Sequence, residues 1–285
     1  MGYGASVPRA VTRTWYRIAL GRAGGASPMV VAAAGEHLGV AVAAAERHAT
    51  GAFAIAAELA PDSDIPLGES LGKSSVVDVG GAPEVPVFHW PAGVLPQLSR
   101  AAAAGGVRRG WVVRPHPDLL VIEAQSDADH LTDLFMGIIE RLPRADNLEV
   151  RMQDHFEDAG RAEVWLTSRV DARRILRFLD DHDAELFGNG HLELSIYVRA
   201  HNATLRLTEH KTVVWLAGER ALEADVKRWL GELAIPPADA LVTVKDVSHF
   251  HYRPASSRDR KKLGEELYRH RLRRVDLLKA RTAGE

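Results

Sequence analysis

Cysteine is absent from the 285 residues. That excludes disulfides, thiolate metal sites and cysteine nucleophiles. Charge of one sign is also lacking. The 36 Lys and Arg against 38 Asp and Glu leave a formal net charge of −2, so no global field favours nucleic acid or an anionic membrane. Long apolar runs are missing too. The most apolar stretch, Met29 to Leu59, is broken by Glu36, His37, Glu46, Arg47 and His48, which leaves no convincing bilayer span. Arg9, Arg13, Arg17 and Arg22 run through the N-terminal segment, where a secretory leader needs an unbroken apolar stretch. The expectation is a soluble, cytoplasmic protein without membrane association.

What is present suits a globular chain: 46% apolar and 26% charged residues, with length enough for one large domain or two small ones. The 29 Arg against 7 Lys carry the codon signature of a high-GC bacterial genome. Pro61, Pro66, Pro83, Pro86, Pro91 and Pro96 cluster between residues 61 and 110. The apolar content there is too high for a disordered linker, so the stretch reads as an ordered connection. Three regions follow: an N-terminal α/β region with this connection over 1–110, a repeat region over 111–256, and a basic tail over 257–285.

In the N-terminal region, Arg9 to Arg22 suits a short helix, and Leu38 to Thr50 a second helix with Ala and Val on its buried side. Gly51 to Glu58 fits strand or helix. Short strands are predicted at Ser75 to Val79 and Val85 to Trp90, and a helix at Leu95 to Ala104.

The pattern clears after Trp111. A strand at Leu119 to Ala124 leads through Ser126 into a helix ending near Leu142, with Leu131, Leu134, Phe135, Ile138 and Leu142 on one stripe. Leu148 to Gln153 is the returning strand. A second unit follows: strand Glu163 to Thr167, helix Val170 to Glu185, and strand His191 to Val198 with alternating Leu192, Leu194, Ile196 and Val198. Further strands are predicted at Ala203 to Thr208, Thr212 to Ala217 and Ala240 to Val247, with a helix at Ala221 to Leu233. Val164-Trp165-Leu166 and Val214-Trp215-Leu216 echo each other, and Val30 to Glu36 echoes Val213 to Glu219. The succession predicts an α+β fold: a ferredoxin-like βαββαβ core of repeated strand–helix–strand units, an extended sheet and a C-terminal basic helix.

Candidate chemistry is sparse. His249 and His251 follow the last predicted strand, and residues i and i+2 on a strand point the same way, so both imidazoles suit one metal. Asp246 or Asp154 is a candidate to complete that set; the plainer alternative is two surface histidines with Phe250 packed inward. Gly68 to Ser74 resembles a phosphate-binding loop but is one residue short and lacks the strand and helix it needs. Asp154-His155 and the run Asp180-Asp181-His182-Asp183 with Glu185 offer acid–base pairs, or merely solvated faces. Trp165, Trp215, Tyr197, Phe250 and Tyr252 fall on or near strands, as core or as base-stacking residues.

The tail is the sharpest charge feature. Arg258, Arg260, Lys261, Lys262, Arg269, Arg271, Arg273, Arg274 and Lys279 face four acidic residues, a net of +5. Leu263, Leu267, Val275 and Leu278 recur at helical spacing, so an amphipathic helix is predicted that either contacts phosphates or packs on the domain. With no convergent catalytic set, the first expectation is a non-catalytic protein that binds another protein, as an adaptor, inhibitor or immunity-type factor, with no cofactor. The alternatives are nucleic-acid binding through the tail and a metal-dependent enzyme built on His249 and His251.

Overall fold

The structure, a computed structural model, describes residues 13–24, 27–65, 75–81, 84–156 and 160–275. The phosphate-loop-like segment 68–74 and the tail beyond residue 275 lie outside them.

The N-terminal part opens on a strand, β1 (Thr14–Arg22), where a helix is predicted. Thr14-Trp15-Tyr16 and Ile18 are strong strand formers, and β1 takes one of the two interior places in a four-stranded sheet. Its partners are β2 (Met29–Gly35), β3 (Ala52–Leu59) and β4 (Val76–Asp78), in the order β3-β1-β2-β4 with every pairing antiparallel. Helix α1 (Leu38–His48) joins β2 to β3, which therefore run parallel with β1 between them. Met29 to Leu59 is thus a strand–helix–strand unit. Leu38, Ala41 and Ala45 of α1 pack on one face of this sheet, and Ala101 on the other. Burial on both faces explains the continuous apolar run Ile18-Ala19-Leu20. Residues 85–90 form no strand. In place of a helix over 95–104 stand β5 (Val94–Pro96) and a 3-10 stretch, Leu98–Ala104.

The larger sheet uses β6 (Gly110–Arg114), β7 (Leu119–Gln125), β8 (Asn147–Met152), β9 (Glu163–Leu166), β10 (Leu192–Val198), β11 (Ala203–Leu207), β12 (Thr212–Gly218) and β14 (Arg273–Val275). Helices α2 (Leu131–Arg141), α3 (Ala172–Asp181), α4 (Asp183–Leu186), α5 (Glu223–Glu232) and α6 (Arg260–Arg269) complete the region with the short β13 (His249–His251). Helix α2 starts later than predicted, because Ser126 to His130 form its approach.

The chain is therefore a mixed α+β protein with antiparallel sheets. The βαββαβ succession is present from β7 to β10, but its strands are not arranged as a ferredoxin-like core. The eight-stranded order is β14-β9-β8-β10-β11-β12-β7-β6. Strands β9 and β10 run parallel around β8, as in a split strand–helix–strand unit. Strands β7 and β8 are instead separated by three others. The physical reason is local: tight turns at Asn202 (φ 43°) and Lys211 (φ 63°) fold β10, β11 and β12 into a meander that fills the gap. Phe135, Ile138, Leu179, Leu194, Leu205 and Trp215 lie at the centre of the core between this sheet and its helices.

Two further predictions are corrected. Residues 240–247 form no strand; Thr243 and Asp246 make a capping box around a 3-10 turn, Val244–Asp246. The tail helix stops at Arg269, and Arg271 (φ 66°) turns the chain into edge strand β14. Leu263 and Leu267 of α6 are buried in the main core. Among the described residues no helix is long and apolar enough to cross a membrane.

Candidate metal centre

Strand β13 pairs with β5, setting Phe250 opposite Leu95 and His251 opposite Val94. This ribbon meets the loop before β10 at two glycines. Tyr252 N–H donates to Gly93 O (2.8 Å), and Gly190 N–H donates to Tyr252 O (2.9 Å). Gly93 has φ +99°, and a Cβ on Gly190 would overlap the Gly93 carbonyl; only glycine permits this approach. It brings Gly190 O to 2.6 Å from His251 Nδ1. His249 Nδ1 lies 2.7 Å from Val247 O.

These carbonyls dictate the proton positions. A carbonyl oxygen only accepts, so each ring commits its Nδ1–H to the backbone. In the neutral form of both rings the two Nε2 atoms carry lone pairs and face each other at 3.1 Å; the three close contacts then share two N–H protons, and the third contact has none. A cation between the rings resolves that repulsion. An Nδ1–H held by a backbone carbonyl is also the usual outer support of a metal-ligating histidine.

A third imidazole completes the arrangement. His210 sits in the β11–β12 turn, its ring centroid 4.9 Å from those of both His249 and His251. One ligand atom from each of the three rings lies within 4.8 Å of the others. A tetrahedral zinc site with bonds of 2.0–2.1 Å has ligand–ligand edges of about 3.3 Å. The His249–His251 pair already spans such an edge, and His210 needs to close by at most about 1.5 Å. Neither expected carboxylate serves: Asp246 caps the Thr243 turn, and Asp154 faces His155 at 3.4 Å. The third nitrogen comes from a hairpin turn far away in sequence.

More histidines surround the three. The His155 ring is 4.8 Å from His251 and 5.0 Å from His191. A cavity of about 510 Å³ opens beside them, lined by Tyr16, His37, His155, His191, Phe250 and His251 among others. Burial pushes His251 and His191 down to about 3 and His210 down to about 4, with neighbouring charged groups adding to the effect. At His251 the Gly190 carbonyl opposes the shift. His251 and His210 are therefore neutral at physiological pH, the state a metal ligand requires. His249 and His251 are half-buried.

Behind the centre, Lys211 is 1% exposed and its Nζ donates to Asn189 O at 2.7 Å. Burial pushes it down to about 7, with Glu209 opposing. The bond holds the Asn189-Gly190 turn that orients His251.

The tail cations are largely engaged within the protein. Arg258 pairs with Glu185 (3.2 Å) and Arg260 with Glu163 (3.3 Å). The Arg260 side chain is buried and also donates to the Gln153 and Phe156 carbonyls. Lys262 meets Asp259, Arg269 meets Glu266, and Arg274 meets Glu163. Arg273 stacks over Tyr268 at 4.7 Å. Lys261 and Arg271 are exposed. Of the aromatic residues, Trp165, Trp215 and Tyr252 are core, Phe250 is half-buried, and Tyr197 OH donates to Glu149 at 2.6 Å.

No family model, curated protein or solved structure matches the chain.

Proposed function

We propose that the chain binds a transition metal of the Zn²⁺ type through His210, His249 and His251, and that the cavity beside this centre receives its substrate. The observation that carries the reading is geometric: each ring gives its Nδ1–H to a backbone carbonyl, and the two Nε2 atoms, lone pairs in the neutral rings, meet at 3.1 Å. Three neutral nitrogens suit borderline cations and not Ca²⁺ or Mg²⁺, which take oxygen ligands. A three-nitrogen set leaves one tetrahedral position free, the pattern of catalytic rather than structural zinc. A metal there supplies Lewis-acid activation of water or of a bound carbonyl or phosphoryl oxygen. His155, within one ring of His251, is placed to exchange protons with that position. The chain is on this reading a metal-dependent enzyme of hydrolytic type. The protein-partner and nucleic-acid readings draw less support, since most tail cations already have partners.

The test is metal titration of chelator-stripped, tag-free protein by calorimetry, and by the visible absorption of Co²⁺. The expected result is that His249→Gln/His251→Gln loses one equivalent of metal and its four-coordinate Co²⁺ bands. His210→Gln should weaken that same equivalent by at least the roughly 10–100-fold typical of losing an outer-shell partner. Unchanged stoichiometry and affinity in the double variant would overturn the reading.

A further inference from the structure

We infer a second, independent metal site formed by His182, Glu266 and His270, which staples helix α6 to the α3–α4 junction. One ligand atom from each of these residues lies within 4.8 Å of the others. His182 is the junction residue between α3 and α4, and Glu266 and His270 stand one turn apart at the end of α6. No element of the first centre is shared.

Four observations point to a cation here rather than an ordinary surface ion pair. First, His182 Nδ1 donates to Phe178 O at 3.0 Å, which in the neutral ring leaves Nε2 as the ligand atom. Second, that Nε2 lies 3.7 Å from Glu266 Oε1. This is too long for a hydrogen bond yet close to the span of two ligands on one metal, about 3.3 Å. Third, His270 Nε2 reaches the same oxygen, Oε1, by a 3.2 Å hydrogen bond, so both imidazoles converge on one carboxylate oxygen. Fourth, the carboxylate divides its work. Arg269 (3.0 Å) and Arg258 (3.9 Å) both hold Oε2, while both imidazoles meet Oε1. Outer cations that grip one oxygen and aim the other are how a ligating carboxylate is oriented. The Phe178 ring forms an apolar floor under both imidazoles, 4.7 Å from His182 and 5.2 Å from His270.

Two nitrogens and one carboxylate oxygen on one side of a site select a divalent transition cation and leave outward positions to water. Its consequence is structural. His270 closes α6, Leu272 is buried directly after it, and β14 begins at Arg273. Metal at this point ties down the edge strand of the eight-stranded sheet.

Calorimetric titration of the tag-free, chelator-stripped full chain with Zn²⁺ near neutral pH tests the inference. Wild type is expected to bind two equivalents, and His182→Gln/His270→Gln one fewer. His249→Gln/His251→Gln also loses one, but the other one, so the two sites stand or fall separately. Amide exchange supplies a second readout. Zn²⁺ should slow exchange over residues 263–275 in wild type and in His249→Gln/His251→Gln, and not in His182→Gln/His270→Gln. Should that double variant fail to fold, the single His270→Gln, at a solvent-facing helix end, should weaken the second equivalent about tenfold or more. Retention of both equivalents at unchanged affinity, or persistence of the exchange effect without His182 and His270, would overturn the inference.

Discussion

Replacing Lys211 with methionine should make this protein more stable. The side chain is 1% exposed, and among the described residues no carboxylate forms a salt bridge with it. Its one strong contact is the 2.7 Å bond to Asn189 O. Burial lowers its pKa from 10.5 to about 7. The unfolded chain keeps the ammonium in water, so at neutral pH the native state gives up roughly 4 kcal/mol at this residue. Methionine fills nearly the same volume without a charge. It removes the stronger of two hydrogen bonds to the Asn189 carbonyl, which keeps the Leu192 N–H at 3.3 Å, at a cost of about 1–2 kcal/mol. The net expectation for Lys211→Met is a gain of roughly 2 kcal/mol near pH 7. The pH dependence gives a second signature. With the folded value depressed, the unfolded state binds more protons above about pH 7, so wild-type stability rises by about 1.4 kcal/mol per pH unit toward pH 9. The variant should lack that slope. Urea denaturation of chelator-treated protein at both pH values measures both quantities. The upper limit stays below the range where Tyr197, pushed up to about 12 by burial and Glu149, brings the opposite trend. A variant less stable than wild type at pH 7, or one that keeps the alkaline slope, would refute the reasoning.

On the acid side, burial depresses His191 and His251 to about 3 and His210 to about 4, against about 6.5 in the unfolded chain. Their contribution is complete above about pH 6.5 and is lost as the pH falls toward the folded values, so metal-free protein should lose about 3–4 kcal/mol between pH 7.5 and 5.5, the share of the half-exposed His210 being reduced by solvent screening. Denaturant midpoints across that interval measure it, and a flat profile would show that the histidine cluster is not buried as described. Gly190→Ala should be among the most damaging single-methyl changes, because its Cβ meets the Gly93 carbonyl and must part the β5–β13 ribbon from the sheet. Overpacking of that kind costs about 1–3 kcal/mol or more, and the displaced His251 should weaken metal binding as well. Thermal unfolding and metal titration together check it; native values in both would contradict the close approach.

Much of the secondary structure was legible. The strand at 192–198 follows from a period-two apolar pattern, those near 119–125, 147–152, 163–166, 203–207 and 212–218 from short apolar stretches bounded by turns, and the helical stripe of Leu131, Leu134, Phe135 and Ile138 from period 3.6. Strand β1 was not, because a run covered on both faces has no alternation to read, and local pattern cannot say what covers it. The tail deceived for a related reason. Its leucines mark a helix correctly to Arg269, but the turn at Arg271 and the pairing of Arg273–Val275 with β9 depend on an edge that the tail itself does not encode.

The candidate centre divides along the same line. The sequence by itself determined that cysteine chemistry is excluded and that strand–helix–strand units recur, and it set His249 and His251 at the i, i+2 spacing that shares one side of a strand; the strand expected before them, at 240–247, does not form, and β13 itself holds the pair. Only the tertiary structure decided the strand order, the arrival of His210 from a distant turn, and the carbonyls of Val247 and Gly190 that accept the Nδ1–H of each ring. It also decided that His182, one residue of an acidic run, faces Glu266 and His270 across two helices. The reason is physical. Spacing along a chain fixes which side chains share a face, whereas a metal centre needs lone pairs to converge from segments whose meeting is set by packing, by glycine-permitted backbone contacts and by which hydrogen bonds each ring is forced to make.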